Sequence, residues 1–127
     1  MTRVQREPQL ERAQFVVEAA RSLQAEQPVA LNVRALVSYA DTLVLATGRS
    51  DRHARSITDA VLAALSSQGE KPLGIEGYDE GRWILVDFGD LILHVFLSEV
   101  RDHYDLERLW SDAPRMEIGE DRASALP

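Results

Sequence analysis

The stretch Glu76–Trp110, EGYDEGRWILVDFGDLILHVFLSEVRDHYDLERLW, decides the fold. Within it two short apolar runs, Trp83–Phe88 and Leu91–Leu97, flank Gly89-Asp90. A two-residue connection that begins with glycine suits a type II′ hairpin turn, whose first central residue needs a positive φ. Setting Phe88 opposite Leu91 fixes the later pairs: Asp87 with Ile92, Val86 with Leu93, Leu85 with His94, Ile84 with Val95 and Trp83 with Phe96. Residues two apart share a face. One face then carries Ile84, Val86, Phe88, Leu91, Leu93, Val95 and Leu97 and belongs in a core. The other carries Trp83, Leu85, Asp87, Ile92, His94 and Phe96, two large aromatics mixed with an Asp and a His that are diagonal neighbours. Such a face is either a second core surface beneath the chain's own helices or a surface left open for another protein.

Upstream, Pro8 suits a first helical turn, and Leu10, Ala13, Val16, Val17, Ala20 and Leu23 recur at three- and four-residue steps, which predicts an amphipathic helix over about Gln9–Ala25, ended by Pro28. Val29–Val33 and the continuous apolar run Leu43–Thr47 read as strands expected at the sheet centre. Ser50 is a good N-cap for a helix whose stripe of Ala54, Ile57, Val61, Ala64 and Leu65 runs to Gln68, with Gly69 as its stop. Leu73–Gly77 is a third strand, and the hairpin is followed by a helical segment over about Ser98–Trp110. The order predicts an α/β (α+β) domain: a mixed sheet of about five strands with helices packed on it, and a C-terminal β-hairpin followed by a short helix. Residues 1–115 form the expected single domain. Residues 116–127 lack apolar periodicity and hold Glu117, Glu120, Asp121 and Arg122, so they read as a flexible acidic tail.

At 127 residues and 45% hydrophobic content, one core is expected. There is no cysteine, which suits a reducing compartment and makes the cytoplasm the expected location. Met1–Arg12 is polar with mixed charge, unlike a signal peptide, and no apolar run reaches the roughly 20 residues that span a bilayer. A net charge of −7 argues against direct nucleic-acid readout, which needs concentrated Lys and Arg, and favours a basic protein surface as partner.

The turn Thr47-Gly48-Arg49-Ser50-Asp51 leads from a strand into a helix N-terminus, where backbone N–H groups and the helix dipole favour an anion. Its simpler reading is a glycine turn followed by a serine cap. A Gly-Ser entry to a helix also suggests a nucleotide-binding or nucleotidyl-transferring enzyme acting through Gly48–Ser50. Such enzymes need two carboxylates one residue apart on the next strand, and that pair is missing here. Asp87 and His94 resemble two members of a hydrolytic triad without an indicated nucleophile. His53, His94 and His103 fall on three elements without metal-ligand spacing. No catalytic residue, cofactor or metal is therefore expected. Tyr104 and Trp110, beside Asp105 and Glu107, are of the types enriched at interface centres.

The pattern resembles the ribosomal silencing factor family, also called Iojap-related. The carrying residues are Asp41–Asp51 (DTLVLATGRSD) with Arg52-His53, then Glu76-Gly77, Trp83–Asp90 (WILVDFGD), His94-Val95-Phe96, Arg101, Tyr104, Leu106-Glu107 and Leu109-Trp110, and the likeness covers about Gln9 to Asp112. It implies a small, nucleotidyltransferase-like fold without that activity. It implies a non-enzymatic protein that binds the large (50S) ribosomal subunit through the L-series ribosomal protein fourteen. Small-subunit joining is then blocked sterically and translation repressed, with late large-subunit biogenesis as a further role. On that reading Trp83 and Phe96 are expected as aromatic anchors, Asp87 and His94 as polar contacts, and Arg101, Tyr104 and Glu107 as secondary contacts. A homodimer self-paired through the aromatic face is the structural alternative.

Overall fold

The hairpin folds as its sequence requires. Gly89 takes φ +94°, Phe88 N–H donates to the Leu91 carbonyl at 2.9 Å, and strands β4 (Trp83–Asp87) and β5 (Leu91–Leu97) pair from Asp87↔Ile92 to Trp83↔Phe96. The structure, a computed structural model, describes residues 8–104, 108 and 110–119. Before the hairpin come α1 (Pro8–Arg21), β1 (Glu26–Asn32), β2 (Thr42–Gly48), α2 (Asp51–Ser66) and β3 (Gly74–Glu76), and after it α3 (Ser98–Tyr104). The five strands form one mixed sheet in the order β1-β2-β5-β4-β3, with β2 and β5 parallel and the other neighbours antiparallel.

Helices α1 and α2 cover one face. Ala13, Val16, Val17 and Ala20 of α1 and Ala54, Ile57, Val61 and Leu65 of α2 meet Val44, Ile84, Val86, Phe88, Leu91, Leu93 and Val95 in one buried cluster. Burying these side chains supplies the main favourable term of folding, of order 2 kcal/mol for each large aliphatic. Ser50 caps α2, its Oγ accepting from His53 N–H at 3.0 Å. Gly69, in the left-handed region at φ +80°, turns the chain out so that Glu70 N–H can bond back to the Leu65 carbonyl.

Several expectations are corrected. β1 is an edge strand, not part of the centre, which β2 and β5 supply. All seven residues of β2 are buried and so need a strand on either side, whereas β1 contains Pro28, which has no N–H for a ladder, and a register shift between Glu26 and Val29. α1 ends at Arg21 because Gln24 goes left-handed at φ 62° and Ala25 N–H bonds back to Ala20. Leu97, placed by alternation in the main core, packs instead on the opposite side, where the strand gives way to α3. The first residues assigned to the tail are part of the domain: Asn32 N–H donates to Pro114, Met116 N–H donates to Ala30, and Met116 and Ile118, two apart, pack on the main cluster. The rest of the expected tail, 120–127, lies outside the described residues.

Candidate functional site

The second face of the sheet is divided, neither fully covered nor fully open. Over β1, β2 and the two ends of β5, Leu31, Val33, Leu43, Leu45, Ile92 and Phe96 are sealed with Val100 of α3 and Ala113. Over β4 and the middle of β5, Trp83, Leu85, Asp87 and His94 are only half-buried. The boundary runs through Trp83. Its indole lies 6.1 Å from the Phe96 ring in an edge-on arrangement, 6.0 Å from His94 and 5.4 Å from Tyr104. Tyr104 is 57% exposed and stands edge-on to His103 at 4.8 Å. The ring arrangement follows from β4 and β5 register, which sets Trp83 directly opposite Phe96 and diagonal to His94.

Trp83 Nε1–H donates to His94 Nδ1 at 3.0 Å, a geometry that assigns the neutral imidazole its proton at Nε2. Burial disfavours the imidazolium and holds the His94 pKa down to about 4. The patch therefore presents a neutral His near pH 7, a bonded indole and an exposed phenol: an apolar surface with polar tips, held in one geometry before any partner arrives.

Two expected contacts are corrected. Phe96 has no exposed surface. It is the floor on which Trp83 rests, because Val100 of α3 and Ala113 pack into the same buried cluster. Arg101 is 3% exposed: its Nη1 reaches across to the Gln27 carbonyl at 3.0 Å and Thr47 Oγ1 at 2.8 Å, and its guanidinium lies over the Phe96 ring at 5.5 Å. Gln27 sits in the β1 irregularity at φ 47°, a conformation that costs a non-glycine residue, so Arg101 ties down a strained bulge. Asp87 Oδ1 accepts from Gly89 N–H at 2.8 Å and so braces the hairpin turn. Glu107, with Leu106 and Leu109, lies outside the described residues. Leu85, opposite His94, completes the patch; its place two residues from Trp83 in the strand alternation is the sequence signal for it.

At the other candidate site, the serine side chain caps α2, Arg49 N–H donates to His53 Nδ1 at 2.9 Å, and His53 Nε2 bonds the Leu23 carbonyl. A Cβ on Gly48 would come within 2.9 Å of Ala54 N, so this glycine is explained by the close approach of β2 to α2. The Arg49 N–H, the Ser50 hydroxyl and the His53 ring are thus engaged in joining strand to helix. Among the described residues, no three His, Asp or Glu side chains converge as a metal site would require, and no helix is long and apolar enough to cross a membrane.

The fold recurs in solved structures. A crystal structure of a protein from Chromobacterium violaceum matches with a TM-score of 0.79 at 32% identity, covering 91% of this chain and 98% of that one. A family model described as "Ribosomal silencing factor during starvation" matches residues 6–126. The chain belongs to the ribosomal silencing factor family. It is similar to a Ribosomal silencing factor RsfS of Halalkalibacterium halodurans, 37% identical over 105 residues that cover 83% of this chain and 90% of the relative. It is also similar to Mitochondrial assembly of ribosomal large subunit protein 1 of Mus musculus, 30% identical over 100 residues, 76% of this chain and 44% of that longer protein.

Proposed function

We propose that this protein acts in the cytoplasm as a non-enzymatic repressor of translation. It binds the large ribosomal subunit through the L-series ribosomal protein fourteen and occupies the surface on which the small subunit would dock. The observation that carries this reading is the half-open aromatic patch of Trp83, Leu85, His94 and Tyr104, on a domain with a net charge of −7. Acidic charge speeds encounter with a basic ribosomal protein, and a braced indole is the type of side chain that supplies most of the affinity at an interface centre. Trp83 and Tyr104 are the contacts, with Leu85 and His94 beside them. Phe96 and Arg101 hold the patch from below, and Asp87 holds the turn that sets its register. The family names of the relatives, silencing in bacteria and large-subunit assembly in mitochondria, fit a protein that meets the large subunit before the small one does.

Co-sedimentation tests the reading. Purified protein mixed with large subunits should pellet with them in near-equal stoichiometry and stay in the supernatant with small subunits. Protein that stays in the supernatant in both cases contradicts the proposal.

A further inference from the structure

We propose a second docking surface: the groove between α2 and the outer edge of β3, which takes an extended basic polypeptide segment that adds a strand to β3. The groove is lined by Asp59, Leu62, Ile75, Tyr78, Asp79 and Glu80. Among the described residues β3 is the last strand of the sheet and pairs only with β4, and all three of its residues are exposed. Leu73 is 75% exposed and Ile75 is 41% exposed. Ile75 on the strand and Leu73 just before it, two residues apart on one face of an open edge, offer apolar contacts to alternate side chains of an added strand.

Charge selects the occupant. The ionisable groups lining the groove are all acidic, and along Glu70–Glu80 Lys71 is the only cation against Glu70, Glu76, Asp79 and Glu80. Arg55, behind the rim, is committed to the Asp51 carboxylate and the Asp79 carbonyl, both at 3.1 Å. A second copy of the same edge would bring its own Glu76, Asp79 and Glu80 into like-charge opposition, and a phosphate backbone would be repelled. A Lys- or Arg-rich segment with alternating apolar residues satisfies both the edge and the rim.

The rim is built in advance. Gly77 and Gly81 take left-handed φ values of +77° and +70°, Gly81 N–H closes the loop on the Gly77 carbonyl at 3.0 Å, and Tyr78 O–H donates to both oxygens of Asp59 at 2.8 and 3.0 Å. Little ordering therefore opposes binding. Ile75 pairs with Val86 and so lies on the sheet face of α2, opposite to Trp83. Both surfaces can be occupied at once, and this inference stands apart from the Trp83 reading.

The probe is a fluorescent synthetic peptide of alternating Lys and Val, titrated into the full chain by anisotropy. Saturable binding is expected, with amide shifts in NMR spectra confined to Gly74–Glu80 and adjoining α2. The double variant Asp79→Lys, Glu80→Lys should weaken binding about tenfold. Ile75→Ser, and separately the same peptide carrying backbone N-methyl groups, should weaken it to a similar degree, while Trp83→Ala leaves it unchanged. Ile75, Asp79 and Glu80 are exposed, and thermal melts verify that each variant, Trp83→Ala included, is folded. Absence of saturable binding, or binding that ignores the N-methyl groups and Ile75→Ser, overturns strand addition. A mass that doubles with concentration and returns to monomer in Ile75→Ser assigns the edge to a second copy and also overturns the proposal.

Discussion

Replacing Trp83 with Ala separates an interface anchor from a core residue. The indole is half-buried, bonded to His94 at 3.0 Å and in edge or tilted contact with Phe96 and Tyr104. Losing the hydrogen bond costs about 1 kcal/mol and losing the aromatic pairs about another 1, so the fold should weaken by about 2 kcal/mol, lowering Tm on the order of 5–10 °C. If the exposed edge of the ring fills a pocket on the ribosomal protein, the affinity loss is at least about 2 kcal/mol, or about 30-fold. Phe96→Leu is the matched control. Phe96 has no exposed surface, so the substitution should destabilise the domain by about 1 kcal/mol and leave affinity within about threefold. Biolayer interferometry against purified ribosomal protein fourteen, on proteins shown to be folded by circular dichroism, reads both. Trp83→Ala binding like wild type, or Phe96→Leu losing as much affinity as Trp83→Ala, would refute the division of the face into anchor and floor.

Three further outcomes follow from the geometry. Because burial holds the folded His94 pKa at about 4, against an ordinary 6.5, the unfolded chain takes up a proton that the folded chain refuses between those values. Stability should therefore fall as pH drops from about 6.5 to 4, by about 2 kcal/mol after allowing for partial solvent screening, and urea titrations of His94→Asn should show a shallower fall. Gly77→Ala should cost more than about 3 kcal/mol, since a Cβ there would lie 2.1 Å from the Trp83 carbonyl oxygen at φ +77°. Gly69→Ala, with the same sign of φ and open space around it, should cost only about 1 kcal/mol, and denaturant midpoints compare the two. Arg101→Met should cost about 2–4 kcal/mol by stranding the Gln27 carbonyl and Thr47 hydroxyl, while the folded fraction keeps its affinity for the partner.

What the sequence made legible was what local rules govern. Gly89 and the two-residue turn set the whole β4–β5 register, and Ser50 with Gly69 bounded α2, because turn geometry and caps depend on a few adjacent residues. The rank of a strand within the sheet is not local. β1 and β2 are both apolar, and only the pairing of β2 with β5, some fifty residues on, puts β1 at the edge. The second sheet face could not be divided from composition, because its cover comes from α3 and Ala113, whose path the hairpin does not dictate. Arg101 shows the same limit: its partners Gln27 and Thr47 lie 74 and 54 residues away, so nothing in its own neighbourhood marks it as buried.

The most direct test of obstruction as the mode of action is light scattering of large and small ribosomal subunits mixed at a magnesium concentration that drives joining. Pre-incubating the large subunits with this protein should suppress the rise in scattering in proportion to occupancy, and Trp83→Ala should restore it at the same protein concentration. Subunits that join at the normal rate and extent while the large subunit is saturated with wild-type protein would contradict the account.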